Sequence, residues 1–246
     1  MKNILMLLVF FCNNAGATFN QTMHVALRNG LNVHEKCNDT SNIITQLAYG
    51  EEVVIRLEQT STVIINGFKT HWVPINNGKG ANGYIVAAYL LPIPPPSLPN
   101  TDFKHYADQI SEAISPSSIY EEVNDLNQDL KDEKTLYKNG MVLIEHSNYE
   151  YLSESLIIPG ITIQQAFIIA QNLSPVNLLI PGKDKFPLES SSERGINGNY
   201  RKTELSYSQD GNLESISFSA DDTEITGTLS LVVLNGQVAI IYEYGS

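Results

Sequence analysis

The chain has 246 residues, 42% of them hydrophobic and 17% charged, and its net charge is −12. This composition belongs to a folded chain, and the length allows one or two domains with cores of their own. The acidic balance lacks the basic footprint that phosphate-backbone binding needs, so nucleic acid is not an expected partner, and it disfavours adhesion to anionic lipid. Residues 1–17 read as a secretory signal. Lys2 supplies the positive start, Ile4 to Phe11 is a short apolar core, and Ala15-Gly16-Ala17 has the small-x-small pattern of a cleavage site. That core is too short to span a bilayer, and no other apolar run approaches the length of a transmembrane helix. Cys12 follows Phe10-Phe11 instead of small residues, so lipoprotein anchoring through it is not expected. Cleavage leaves Cys37 without an intramolecular disulfide partner, and it reads as an incidental loop thiol beside Lys36.

Short apolar runs separated by turn-rich pieces fill residues 23–92. Asn29-Gly30 and Tyr49-Gly50 mark tight turns. Residues 52–57 are β-branched and predict a strand. Residues 62–65 run into Asn66-Gly67, a strong two-residue hairpin signal, and residues 68–75 return antiparallel. Residues 77–82 predict a loop and 83–86 a last short strand. The motifs Leu31-Asn32-Val33-His34, Tyr49-Gly50-Glu51, Val53-Val54-Ile55, His71-Trp72-Val73, Gly83-Tyr84-Ile85 and Tyr89-Leu90, in this order and spacing, resemble the bacterial SH3-like (SH3b) module. The resemblance implies a small all-β SH3-like barrel over residues 23–92 and a place in the bacterial cell envelope. It also implies an aromatic groove for cell-wall peptide or an envelope protein, with Tyr49, Trp72, Tyr84 and Tyr89 as its candidate residues. Trp72 and Tyr84 also match core or rim positions of that family, and His34 stands where the module often carries Arg.

Residues 93–99 form a proline-rich linker, in which extended polyproline II is preferred and a semi-rigid spacer is expected. Residues 100–246 then predict a separate α+β domain, helices first and an antiparallel β-meander last. Phe103, Tyr106, Ala107, Ile110, Ala113 and Ile114 recur at helical spacing, with Asn100 or Thr101 as cap and Ser115-Pro116 as stop. Ser118 and Glu121 suggest a capping box opening a second helix, with Ile119, Val123, Leu126 and Leu130 on one face. Lys138-Asn139-Gly140 suits a helix C-cap or a hairpin turn. Residues 141–144 and 149–158 predict paired strands. Thr162 and Gln165 open another helix, which stops at Ser174-Pro175. Residues 181–199 show no periodicity and predict a long loop. Residues 200–208, 213–219, 224–234 and 238–244 predict four meander strands around Asp210-Gly211, Asp221-Asp222 and Asn235-Gly236.

Catalytic signatures are sparse. His24, His34, His71, His105 and His146 form no pair at metal-ligand spacing, and no cofactor or metal is expected. His146 follows Glu145 on a strand, so the two point to opposite faces and form no dyad. Proteins with such a module often carry a cell-wall hydrolase domain, but residues 100–246 contain no cysteine for a peptidase of the cysteine type. Nucleophile-elbow, H-E-x-x-H and phosphate-loop motifs are also missing. Paired carboxylates for glycoside cleavage remain open. The reading is an exported, periplasmic or extracellular, non-catalytic protein. The alternative is a cell-wall hydrolase with its site in residues 100–246.

Overall fold

The computed structural model describes residues 20–56, 61–76, 82–98, 101–115, 120–123, 129–148, 150–182, 184–195, 199–222 and 225–245. The expected signal segment and Cys12 lie outside these residues. Within them the chain is mostly antiparallel strand with two short helices.

The first half contributes β1 (Asn20–Val25), β2 (Leu31–His34), β3 (Ile43–Leu47), β4 (Glu52–Arg56), β5 (Val63–Ile65), β6 (Phe68–Thr70), β7 (Trp72–Asn76), β8 (Asn82–Val86) and β9 (Leu90–Leu91). Seven of these join in the order β3-β2-β8-β7-β4-β1-β9, while β5 and β6 pair only with each other. The expected barrel is therefore an antiparallel sheet whose hydrogen-bonded path does not close among the described residues. Alternation fills its core: Val53 and Ile55 of β4 point inward between exposed Glu52, Val54 and Arg56. The β5–β6 hairpin turns at Asn66-Gly67, both at positive φ, and leans on the second half instead of extending the sheet.

The second half contributes α1 (Phe103–Ile110), β10 (Ala113–Ser115), β11 (Tyr120–Val123), β12 (Asp129–Tyr137), β13 (Val142–Ser147), β14 (Tyr151–Pro159), α2 (Ile163–Ala170), β15 (Ser191–Arg194), β16 (Tyr200–Tyr207), β17 (Leu213–Asp221), β18 (Thr226–Leu234) and β19 (Gln237–Gly245). Ten strands form one sheet, ordered β10-β12-β13-β14-β19-β18-β17-β16-β15 with β11 on β12. The four C-terminal strands lie close to the ranges that the turn signals between them predict. So does α2, whose Thr162 and Gln165 make the reciprocal capping box.

Other expectations need correction. Residues 120–123 and 129–137 are strands and not a second helix; Ser118, Ile119 and Leu126 fall outside the described residues. Glu133, Thr135 and Tyr137 alternate toward one face of β12, and pairing with β13 satisfies the backbone that a helix would satisfy internally. Helix α1 stops at Ile110 and its cap is Asp102, which accepts from His105 N at 2.6 Å; Ala113 belongs to β10. Lys138-Asn139-Gly140 is the β12–β13 turn, with Gly140 at φ +84°. Residues 181–199 are not a bare loop. Phe186 is buried, and residues 191–194 form edge strand β15. Helices do not all precede the meander either, because β14 pairs with β19 and builds one sheet around α2's place in the chain.

Both helices lie on one face of this sheet, its inner face. Phe103, Tyr106 and Ala107 of α1 are buried there, and Phe167 of α2 meets Phe218 of β17 with ring centroids 5.9 Å apart. The buried apolar cluster then runs unbroken into the first half. Phe68 of β6 packs edge-on against Phe167 at 6.0 Å and tilted against Phe186 at 5.2 Å. Phe186 N donates to Asn66 O at 2.9 Å, and a Cβ on Gly67 would lie 2.0 Å from Phe186 O. Gln165 Nε2 donates to Leu90 O at 3.1 Å, and Arg28 Nη2 donates to Gln171 O at 3.0 Å. The proline segment is strapped down too. Tyr106 donates to Pro94 O, Gln109 to Pro95 O and Tyr49 to Pro96 O, at 2.9, 3.1 and 2.7 Å.

Two halves that share a core should unfold together. Trp72, the only tryptophan, is buried in the first half and reports on it. Phe167→Ala in the second half should lower the urea midpoint of Trp72 fluorescence by a destabilisation of about 3–5 kcal/mol. A Trp72 transition indifferent to that substitution would mean two independent cores.

Candidate functional site

A cleft of about 290 Å³ opens at one end of the first-half sheet. Arg56 ends β4 on one side, and Glu35 leaves β2 on the other. Pro74 and Ile75 of β7 and Gly83 and Tyr84 of β8 form the floor and wall. Gly83 is required by close approach: a Cβ there would stand 2.7 Å from both His34 O and Val33 Cγ1. Its absence lets β8 close on β2, where Tyr84 pairs with His34. Tyr84 is half-buried against the core, so one side of its ring is anchored while the residue lines the cleft. Glu35 and Arg56 are exposed. The site thus offers a cation, a carboxylate and an aromatic face within one short groove, a combination suited to an extended peptide carrying both charge signs.

Of the four aromatic candidates, only Tyr84 lines this cleft. Trp72 is 5% exposed, and its ring meets that of His34 edge-on at 5.1 Å. His34 Nδ1 faces Ser41 O at 3.3 Å, so this buried histidine fastens the loop after β2. Tyr89 is buried at the junction of the halves. Its hydroxyl accepts from Asn66 Nδ2 at 2.7 Å, and its ring meets Phe68 at 5.4 Å. Tyr49 holds the proline segment through Pro96 O. Glu35 and Arg56 are not among the sequence candidates, because they are distant in the chain and each alone reads as an ordinary surface charge. Their one signal is position, at strand ends beside loops.

The second half holds polar pairs of its own. His146 Nδ1 contacts Asp132 Oδ1 on the outer face of the sheet, and Tyr151 donates to Glu243 Oε1 nearby at 2.5 Å. Glu145 is on the inner face, between Glu133 and Glu154 in the cross-strand register. Lys104 approaches Glu133 at 3.9 Å, and Glu145 Oε2 is buried without a hydrogen-bond partner. Further clefts open among the described residues, two of them in this half. One, of about 390 Å³, lies where Lys69 meets Thr162, Gln164, Leu213 and Val233; the other, of about 350 Å³, lies between Leu178, Asp222, Tyr242 and Tyr244. Neither the His146–Asp132 pair nor the three glutamates line any of these clefts. Among the described residues no group of three or more His, Cys, Asp or Glu is arranged to hold a metal ion. Cys37 is exposed. No helix among the described residues is long and apolar enough to cross a membrane. Comparisons with protein-family models, curated proteins and solved structures find no match to this chain.

The pinned tyrosines carry a pH consequence. Burial pushes the phenols of Tyr49 and Tyr106 well above the ordinary 10.0, because the ionised form loses its hydration. The unfolded chain ionises near pH 10 and the folded one only at higher pH, so the folded state binds more protons above pH 10. Stability is fully present below that value and falls as pH rises through it. The urea midpoint should be flat up to about pH 9.5 and decline beyond it, and Tyr49→Phe should make the decline shallower. An equal slope in the variant would show that Tyr49 does not contribute.

Proposed function

We propose that this chain is an exported, non-catalytic bacterial envelope protein, and that its SH3-like first half binds cell-wall peptide or an envelope protein segment. The cleft carries the reading: Tyr84 offers a ring for stacking, Arg56 suits a peptide carboxylate and Glu35 suits an ammonium group. The secretory pattern of Lys2, the apolar run and Ala15-Gly16-Ala17 supports export. The shared core supports a role for residues 100–246 as a rigid partner that holds the cleft in one orientation.

A hydrolase in the second half is the competing reading, and one observation favours it. Asp132 holds Nδ1 of His146, as an orienting acid holds a general base. The pair stands on an open sheet face and lines none of the three clefts described above, which weighs against chemistry needing a water-excluded site. Loss of measurable peptidoglycan turnover in His146→Ala would favour the hydrolase.

Binding is tested by co-sedimentation of the whole chain with purified peptidoglycan and by titration with its stem peptides. Tyr84→Ala and Arg56→Glu should each weaken binding by about tenfold or more, as expected for an aromatic or arginine anchor. Peptidoglycan that fails to bring down the unaltered chain would remove the cell-wall ligand. Binding indifferent to both substitutions would remove the cleft.

A further inference from the structure

One end of the inner face is only partly covered among the described residues. Beyond Ile240, strand β19 carries Tyr242 and Tyr244 on that face, since alternate residues of a strand point the same way. Tyr242 belongs to the buried cluster, whereas Tyr244 is 45% exposed. Both line the cleft of about 350 Å³, together with Pro175 and Leu178 from the turn after α2 and with Asp222, Ile225 and Thr226 from the β17–β18 connection. The lining is fastened from several sides. Arg201 of β16 donates through Nε to Asp222 Oδ2 at 2.6 Å and through Nη1 to Leu178 O at 2.9 Å, which ties the turn after α2 to the sheet. Asp222 Oδ1 accepts from Ile225 N at 3.1 Å. Gly227 has φ +145°, and a Cβ on it would stand 3.1 Å from Tyr242 Cε2, so a side chain there would crowd this ring.

Charge restricts the ligand. Among the described residues Asp222 is the one charged member of the lining, and the Arg201 guanidinium answers it. Glu154 adjoins Tyr242 in the register but does not line the cleft. Burial first, and then Glu154, hold the Tyr242 phenol above its ordinary value, so it stays an uncharged hydroxyl able to donate and accept. Thr226 Oγ1 donates to Asp221 Oδ1 at 3.1 Å, and its lone pairs can accept. A wholly apolar ligand would strand these hydroxyls. A pyranose ring satisfies both kinds of surface: its C–H faces stack on aromatic rings, and its hydroxyls exchange hydrogen bonds with phenols and threonine. The volume lies near the lower end of the roughly 300–1,000 Å³ of small-ligand sites, a fit for a short piece of sugar chain. We propose that this cleft binds an uncharged sugar unit of a glycan, with Tyr244 as the stacking ring. The site is separate from the Glu35, Arg56 and Tyr84 cleft and does not depend on the ligand assigned there.

Calorimetric titration of the whole chain with cellotriose, with tri-N-acetylchitotriose and with the deacetylated, cationic form of the latter tests this. At least one of the two uncharged trisaccharides should bind, and more tightly than the cationic one. Tyr244→Ala should weaken that binding by about tenfold or more, as expected for an aromatic anchor, while leaving the Trp72 unfolding midpoint in place. Tyr244→Phe keeps the ring and should bind more tightly than Tyr244→Ala. Tyr207→Ala removes an exposed tyrosine outside the cleft and should bind as the unaltered chain does. Leu178→Asp, at an exposed position on another element of the lining, repeats the test should Tyr244→Ala misfold. The proposal is overturned if neither uncharged trisaccharide binds at about 10 mM, a concentration that reveals even millimolar affinity. Tighter binding of the cationic trimer overturns it too, as does sugar binding that survives a folded Tyr244→Ala or Leu178→Asp, or that is lost in Tyr207→Ala. None of these results bears on stem-peptide binding at Tyr84, which is titrated separately.

Discussion

Phe68 is the side chain on which the arrangement of the molecule turns. It belongs by sequence to the first half, where it meets Tyr89, and it reaches into the second, where it lies against Phe167 and Phe186. Burial of such a ring contributes about 1.5–3 kcal/mol, and each well-disposed aromatic pair adds about 0.5–1.5 kcal/mol. Geometry matters as much as energy. The ring reaches its socket only because the preceding turn carries Gly67, where the Phe186 backbone comes too close for any side chain. Asn66 then uses its carbonyl for Phe186 N and its amide for the Tyr89 hydroxyl. One two-residue turn thus joins two sheets that share no ladder.

Features encoded by neighbours in the chain are legible in the amino-acid sequence. The Asn66-Gly67 hairpin, the capping box at Thr162 and Gln165, and the last four strands each announce themselves within about ten residues. Features depending on distant pairing are not. Residues 119–130 hold a spacing that a helix could also use, and across residues 129–137 the availability of β13 decides for strand. Phe186 looks like a lone apolar residue in a loop until the hairpin of β5 and β6 arrives beneath it. The site follows the same division. Aromatic residues at 49, 72, 84 and 89 are visible in the sequence, but whether a ring is covered depends on what other elements bring. His34 covers Trp72, Asn66 and Phe68 cover Tyr89, and Tyr84 remains at the cleft.

The two faces of the large sheet solve different problems. The inner face buries Leu143, Leu156, Ile240, Leu231 and Ile216 in one register row beneath the helices, and it accepts three adjacent glutamates where that cover ends. Like charges so placed repel unless neutralised or hydrated, which explains why the glutamates lie beyond the apolar row and near Lys104. The outer face has no such cover, and its Ser-rich rows are what an antiparallel sheet shows to water.

The strapped proline segment and the borrowed phenylalanine bear on how such a chain can change over time. Small β-sheet units are commonly treated as cassettes, with a linker at each end. Here the first half has lent part of its hairpin to its neighbour, and the proline segment's carbonyls are occupied by tyrosine and glutamine side chains from both sides. Excision would expose Phe68 on one piece and leave a hole between Phe167 and Phe186 in the other. Exchange of either half at the proline segment would therefore break contacts on both sides, and a substitution at the seam needs an answer across it.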